Sequence, residues 1–287
     1  MKILVTGGQG KVGRFVVQEL VNSAHEVTVF DRVPGPERGA VRYLVGDIQD
    51  LGQVMEAMHG ADAVIHLAAI HNPNIATATV TYQTNVIGTF NVHHAAFRLG
   101  IKRVVSASSN AIVGWSYGDN FVPDYLPVDE DHPLRPEDAY GLSKEIGETI
   151  ARSYALKGLE TVSLRPSGVV APEELEAIKK TGGRKPSGFQ AYSYIDARDL
   201  ALAFRLAVVR PLPGTTTCLS SPMTAPSQNP CVNSIPASSQ ASATRQASSP
   251  GAGARMLMLV PKSYWAGNQC IPGVMIDQCL QIDAQTK

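Results

Sequence analysis

Tyr140 and Lys144, in the run Tyr140-Gly141-Leu142-Ser143-Lys144, stand four residues apart. On a helix that spacing puts both side chains on one face, one turn from each other. A phenol beside an ammonium is poised to act as a base, because the cation favours the phenolate and lowers a pKa that otherwise lies at about 10. Upstream, Ser108-Ser109 offers hydroxyls near the end of a predicted strand. At the N-terminus, Thr6-Gly7-Gly8-Gln9-Gly10-Lys11-Val12-Gly13 spaces Gly7, Gly10 and Gly13 as G-x-x-G-x-x-G between a predicted strand and a predicted helix. Glycines there allow a tight turn and close approach of backbone to a pyrophosphate, whose charge the N–H groups of the helix N-terminus receive. A dinucleotide turn joined to a Tyr/Lys base points to hydride transfer on an alcohol or ketone. Read singly, each residue has a plainer role: Tyr140 in a core, Lys144 on a solvated face, Ser109 as a strand-end cap. Their occurrence together in one fold context favours the chemical reading.

Asp31 closes the second predicted strand, eighteen residues after Gly13. That is near the spacing of about 20 expected for an acid that binds the adenosine ribose. A carboxylate there accepts from the 2′-OH and repels a 2′-phosphate, which favours NAD. Arg32 beside it could instead hold the phosphate, so NADP stays open.

The elements that must position these residues are legible over the first 210 residues. Short β-rich runs at Lys2–Thr6, Glu26–Phe30, Val41–Val45, Ala63–His66, Arg103–Ser106 and Thr161–Leu164 read as strands. Between them Lys11–Asn22, Leu51–Met58, Val80–Leu99 and Glu137–Leu156 carry helical spacing. Successive βαβ units with right-handed crossovers give an α/β fold with a doubly wound parallel sheet, a Rossmann domain over residues 1–214.

Composition excludes several partners. Lys plus Arg and Asp plus Glu both number 25, so no strong basic field recruits nucleic acid or an anionic membrane. The apolar run Ile3-Leu4-Val5 is too short for a signal peptide, and no stretch approaches a membrane span; a cytoplasmic protein is expected. All four cysteines (Cys218, Cys231, Cys270, Cys279) lie after residue 217, while all seven histidines lie at or before His132. Zinc-ligand spacing is therefore missing and no metal is expected.

Taken in order, these motifs resemble the extended short-chain dehydrogenase/reductases, specifically the NAD-dependent epimerase/dehydratase family, over residues 1–214. Gly46-Asp47-Ile48 resembles that family's adenine-contacting turn. His66-Leu67-Ala68-Ala69 is similar to the strand end lining its cofactor cleft, and Asn85-Val86-Ile87-Gly88-Thr89 to its helix with an inward asparagine. Leu164-Arg165-Pro166 and Tyr194-Ile195-Asp196-Ala197-Arg198-Asp199 resemble its late motifs. The resemblance implies Tyr140 as general acid/base, Lys144 as the cation that lowers its pKa and bonds the nicotinamide ribose, and Ser109 as the group that holds the substrate oxygen. It implies a cofactor site of Gly7, Gly8, Gln9, Gly10, Lys11, Val12, Gly13, Asp31, Arg32, Asp47, Ile48, Leu67, Ala68, Ala69, Asn85 and Pro166, with Tyr140 and Lys144. Its helices Val80–Leu99 and Glu137–Leu156 imply a homodimer by analogy.

Departures narrow the reaction. Where the family's sugar dehydratases carry acids after the catalytic hydroxyl residue, this chain has Asn110 and Ala111, which disfavours dehydration. About 25 residues, Ser167 to Ala191, form the substrate insertion. That favours a small sugar, a sugar acid or a similar polyol-derived substrate, as in the uronate dehydrogenase-like branch. A dinucleotide-binding regulator without catalysis is the rival reading of the same fold.

Beyond Gly214 the texture changes. No Asp or Glu occurs from Leu200 to Ile276, and Ser, Pro, Ala and Gln dominate Thr215–Ala254. Residues 215–287 read as an irregular tail that leaves the small C-terminal substrate lobe incomplete. Back-translated and read one nucleotide earlier, Pro261–Val274 becomes compatible with A-K-E-L-L-G-W-Q-P-M-H-S-W-R, which resembles the family's C-terminal A-x-x-L-L-G-W-x-P segment. The expectation is a frameshifted native C-terminus, and with it a third reading, an inactive product.

Overall fold

The computed structural model describes residues 1–36, 41–72, 74–114, 124–125, 128–174, 176, 194–210 and 215–219. Strands β1 (Lys2–Thr6), β2 (Glu26–Asp31), β3 (Arg42–Val45), β4 (Ala63–His66), β5 (Arg103–Ala107), β6 (Glu160–Arg165) and β9 (Thr215–Leu219) form one sheet in the order β3-β2-β1-β4-β5-β6-β9. Every neighbouring pair in it is parallel. Two three-residue strands, β7 (Gly168–Val170) and β8 (Tyr194–Asp196), pair separately in parallel. The helices are α1 (Gly13–Asn22), α2 (Leu51–Met58), α3 (Ala78–Arg98), α4 (Ala139–Ala155) and α5 (Ala197–Val209).

Strand alternation sorts the core into two layers. On one face Ile3, Val5, Val29, Ile65, Val105 and Val162 pack with Val16 and Leu20 of α1 and Leu200 and Phe204 of α5. On the other, Leu4, Val64 and Val104 pack with Val54 and Met58 of α2, Val92 and Ala96 of α3, and Tyr154 of α4. With both faces covered, the central strands bury nearly continuous apolar runs, as parallel sheets do. Strand order reverses at β1, where β4 lies on the side opposite β2. In an open α/β sheet the crevice outside the strand carboxyl ends at this switch is where ligands bind.

Element boundaries differ from the periodicity by a residue or two, and caps explain most of the difference. The third helix begins at Ala78 because the Thr77 side chain accepts from Val80 N–H, and the fourth at Ala139 because Asp138 accepts from Gly141 N–H. The first helix begins at Gly13, not Lys11. One expectation fails at its edge: the sheet continues past 214, with Thr215–Leu219 as its outer strand along β6. Three consecutive threonines are β-branched and suit a strand whatever the composition that follows. Residues 220–287, with nearly all of the expected irregular tail and its out-of-frame segment, lie outside the described residues, as does the insertion from 177 to 191. Among the described residues no helix is long and apolar enough to cross a membrane.

Candidate active site

The turn from β1 to α1 is compressed at three of its four glycines. Gly7 sits at φ +72°, and a Cβ there would lie 2.6 Å from the Ala68 backbone nitrogen. A Cβ on Gly13 would lie 2.2 Å from the Gly7 carbonyl oxygen, and one on Gly8 2.7 Å from the Val29 side chain. Gly10 is different: its nearest neighbour would be the Gly7 oxygen at 3.2 Å. Three glycines thus pack the turn against the sheet, and Gly10 leaves the outer surface of the turn bare. Val12, at the N-cap of α1, offers no side-chain cap and the first turn carries no acid, so the positive end of the helix is open to an anion.

The rim of this crevice holds the other expected cofactor residues. Asp31 ends β2, and its Oδ2 accepts from Gln9 N–H at 2.9 Å while its Oδ1 accepts from Val33 N–H at 3.2 Å. Asp31 is thereby fixed to the glycine turn, with Arg32 exposed beside it. Asp47 lies in the turn after β3, and Ile48 is buried against Gly88 of α3. Asn91 Nδ2 donates to the Ile48 and Gln49 carbonyls at 3.0 and 2.9 Å, which holds that turn from below. Leu67, Ala68 and Ala69 follow β4 along the glycine turn, with Leu67 N–H donating to Thr6 O at 3.0 Å.

Asn85 is held within the protein. Its Oδ1 accepts from Ile70 N–H at 2.8 Å, and its Nδ2 donates to Ile70 O at 3.0 Å and Ser143 Oγ at 2.9 Å. All the hydrogens of this buried amide are engaged within the protein. It ties the loop after β4 to α4.

The residues expected to do chemistry lie together at the carboxyl end of β5. Ser109 caps a short 3-10 turn, Asn110–Val113, by accepting from Ala111 N–H at 3.1 Å. Helix α4 can approach this turn because Gly141 has no side chain: a Cβ there would lie 2.9 Å from the Ala111 oxygen. Tyr140 therefore enters the site in the first turn of α4, 8% exposed, beside the serine turn. Lys144, one turn on, has its Nζ 5.8 Å from the Tyr140 ring centre and donates to the Ala107 carbonyl at 2.7 Å. Burial lowers the Lys144 pKa to about 8, and the Glu148 charge opposes that fall. The ammonium is therefore charged at neutral pH. Pro166 lies across the same strand ends, where its carbonyl accepts from Asn110 N–H at 3.2 Å.

Beneath the crevice His66 bridges strand and helix. Its Nδ1 is 2.7 Å from Thr6 Oγ1 and its Nε2 3.2 Å from Thr89 Oγ1. Burial, then the Lys144 and His93 charges, push its pKa well below the usual imidazole range, so it stands neutral.

Three residues of consequence escape a sequence reading. Glu148, 2% exposed, lies a further turn along α4, and Arg165 binds both of its oxygens at 2.8 Å. The i, i+4, i+8 spacing of Tyr140, Lys144 and Glu148 was the available signal. At the outer edge, Glu174 and Glu173 pair with Lys11 and Arg14 on either side of the α1 N-terminus. Among the described residues no group of three or more His, Cys, Asp or Glu could hold a metal.

Residues 3–215 match the family described as NAD dependent epimerase/dehydratase. The chain is 36% identical over 181 residues to an L-arabinose 1-dehydrogenase (NAD(P)(+)) of Haloferax volcanii, covering 61% of this chain and 69% of that protein. It is 32% identical over 181 residues to a uronate dehydrogenase of Pseudomonas putida, covering 62% of this chain and 65% of that one. A short-chain dehydrogenase/reductase superfamily protein from Agrobacterium tumefaciens, solved with bound NAD, superposes with a TM-score of 0.61 at 28% identity, covering 76% of this chain and 77% of that one. The matches to these and other curated relatives span about half to two thirds of the relatives' own lengths.

Proposed function

The chain belongs to the NAD-dependent epimerase/dehydratase family, and from that premise we propose that it is an NAD-dependent oxidoreductase acting on a small sugar or sugar acid. The observation that carries the reading is the convergence of Ser109, Tyr140 and Lys144 at the β5 end, next to an uncapped glycine turn. The residues present fit the dinucleotide. Gly10 clears the surface where a pyrophosphate would lie, the α1 N-terminus faces its charge, and Asp31 stands where the adenosine ribose would reach.

Bound NAD supplies the hydride acceptor. Ser109 Oγ already accepts from Ala111 N–H, so its own hydrogen remains to donate to the substrate oxygen. Tyr140 takes the proton from the sugar hydroxyl oxygen as the hydride leaves the carbon bearing that oxygen, and returns it in the reverse direction. Lys144 supplies the positive field that favours the phenolate during the transfer. Asn110 and Ala111 carry no acidic group that could eliminate water, which supports oxidation over dehydration. The short insertion after Pro166, and relatives named as arabinose and uronate dehydrogenases, support a free sugar over a nucleotide sugar.

The test is NADH formation by the purified chain with a panel of aldoses, uronates and UDP-hexoses. Stoichiometric NADH with a free aldose or uronate supports the reading. Interconversion of UDP-hexoses without net NADH would overturn it in favour of an epimerase.

A further inference from the structure

We propose that Glu148 is a positioning residue for this site: its buried carboxylate locks the Ser108–Ser109 strand end and the Lys144 helix turn into one rigid unit. The proposal rests on the reading of Ser109, Tyr140 and Lys144 given above.

The geometry is that of a hub. Glu148 Oε1 accepts from Ser108 Oγ at 2.6 Å and from Arg165 Nε at 2.8 Å, and Oε2 accepts from Arg165 Nη2 at 2.8 Å. Arg152, on the next turn of α4, stands 3.7 Å from Oε2. Arg165 in turn donates to the Glu130 carbonyl at 3.0 Å. One carboxylate therefore joins α4 to the carboxyl ends of β5 and β6 and, through Arg165, to the loop before α4. Ser109 sits between residues tied on both sides, since Ser108 N–H donates to Leu164 O at 2.7 Å and Asn110 N–H to Pro166 O at 3.2 Å. With Ser108 held by its side chain as well, the Ser109 hydroxyl has little freedom to wander from the substrate oxygen. Positioning within about half an ångström is what such a site requires.

A role in stability alone accounts poorly for this arrangement. A buried ion pair generally contributes no more than well-packed apolar residues of the same volume. What an apolar replacement cannot do is place negative charge one helical turn from Lys144. The groups facing that ammonium are Tyr140 and Glu148 from α4, the Ala107 carbonyl from β5, His66 from β4 and His71 from the following loop, with Arg165 and Arg152 behind Glu148. His66 is neutral, so Glu148 is the nearby anion that helps keep Lys144 charged against its burial.

The experiment uses the full chain and two variants, Glu148→Gln and Ser108→Ala. First, acylation of Lys144 is followed against pH by peptide mass spectrometry, which needs neither NAD nor substrate. The wild type should titrate at about 8. Glu148→Gln should titrate about one unit lower, and Ser108→Ala at the wild-type position. Second, kcat/KM is followed against pH. Its alkaline limb should move with the Lys144 titration in Glu148→Gln. In Ser108→Ala the limb should stay in place, with kcat falling about tenfold and NAD affinity unchanged. A folded Glu148→Gln whose Lys144 titration and alkaline limb coincide with wild type overturns the proposal. Should Glu148→Gln fail to fold because Arg165 loses its carboxylate, the double variant Glu148→Gln/Arg165→Met removes both charges and is read the same way. A wild type that turns over no sugar defeats the functional reading alone, because the acylation arm still judges Glu148.

Discussion

Gly10 and Gly13 make opposite demands on an added methyl group, and the contrast tests what the glycine turn is for. In Gly13→Ala the new Cβ would lie 2.2 Å from the Gly7 oxygen and 2.7 Å from the Gly8 Cα, both backbone atoms with no rotamer to yield. Overpacking of this kind costs about 1–3 kcal/mol, offset by at most about 1 kcal/mol of helix propensity. Because backbone must move, the upper end of that cost applies and a net loss of about 2 kcal/mol remains; at about 2–4 °C per kcal/mol for a domain of this size, Tm should fall by roughly 4–8 °C. In Gly10→Ala the nearest atom is the Gly7 oxygen at 3.2 Å, a tight contact but not a collision. A less flexible unfolded chain adds about 0.4–1 kcal/mol in favour of folding, so Tm should stay within a few degrees of wild type. Yet its methyl group would stand on the bare face where the pyrophosphate is to rest. NAD affinity should fall at least about tenfold, which is ~1.4 kcal/mol. Thermal melts and NAD titration calorimetry on both variants give the answer. A Gly10→Ala protein that melts normally and binds NAD as the wild type does would refute the assignment of this turn to the pyrophosphate. An unchanged Tm in Gly13→Ala would refute the packing.

Four further outcomes follow from the same geometry. Lys144 is a base with a folded pKa of about 8 against an ordinary 10.5, so the folded state binds fewer protons than the unfolded one between those values. Stability should therefore rise with pH across that window, by about 3 kcal/mol, while kcat/KM falls above about pH 8 as the ammonium is lost; denaturant melts and rate profiles should diverge in this way. Lys144→Met should melt higher than wild type at neutral pH and turn over no substrate, a trade of stability against activity seen when a buried charge is replaced. Asp31→Asn keeps an acceptor for Gln9 N–H but loses the charge that repels a 2′-phosphate, so the NADP-to-NAD ratio of kcat/KM should rise at least about tenfold. Glu173→Gln with Glu174→Gln removes two exposed ion pairs, so Tm should not change; with Lys11 and Arg14 freed beside the proposed pyrophosphate site, stopped-flow should instead show slower NAD release, with more dependence on salt than in wild type.

Much of this site was legible because its parts are local in the sequence. The glycine spacing, Asp31 at a strand end and the four-residue step from Tyr140 to Lys144 each state their geometry within a turn or a strand. What stayed hidden was long-range. Arg165 looked like part of a motif, but its partner Glu148 lies on another element, and nothing local says that the two meet. Glu130 reads as part of the acidic run Asp129-Glu130-Asp131 facing water, yet it is 7% exposed. Strands β7 and β8, three residues each, are too short to show a period. Helix α5 carried a signal that was passed over: Asp196 caps it, and Leu200, Phe204 and Val208 recur at helical spacing against the sheet. The bonds that Asn85 makes to Ile70 and Ser143 were likewise out of reach of a local reading, because both partners lie on other segments of the chain. The composition break at 214 was real, but it misplaced the sheet edge, since strand formation at Thr215–Leu219 follows side-chain branching and partner strand rather than texture.

The coding sequence across codons 205–225 bears on the tail: a one-nucleotide discrepancy would restore the family-like C-terminus, and a confirmed frame would end the frameshift reading. The most direct test of the central claim is hydride transfer itself. An aldose or uronate deuterated at the oxidised carbon is incubated with NAD and either wild type or Tyr140→Phe, and the reduced nucleotide is analysed by mass spectrometry. Wild type should yield singly deuterated NADH, while Tyr140→Phe at saturating NAD forms it about 10²–10⁴-fold more slowly. If Tyr140→Phe transfers deuterium at the wild-type rate, Tyr140 is not the acid/base. If the wild type binds NAD but no sugar in the panel yields deuterated NADH, the chain is a dinucleotide-binding protein and not the proposed dehydrogenase.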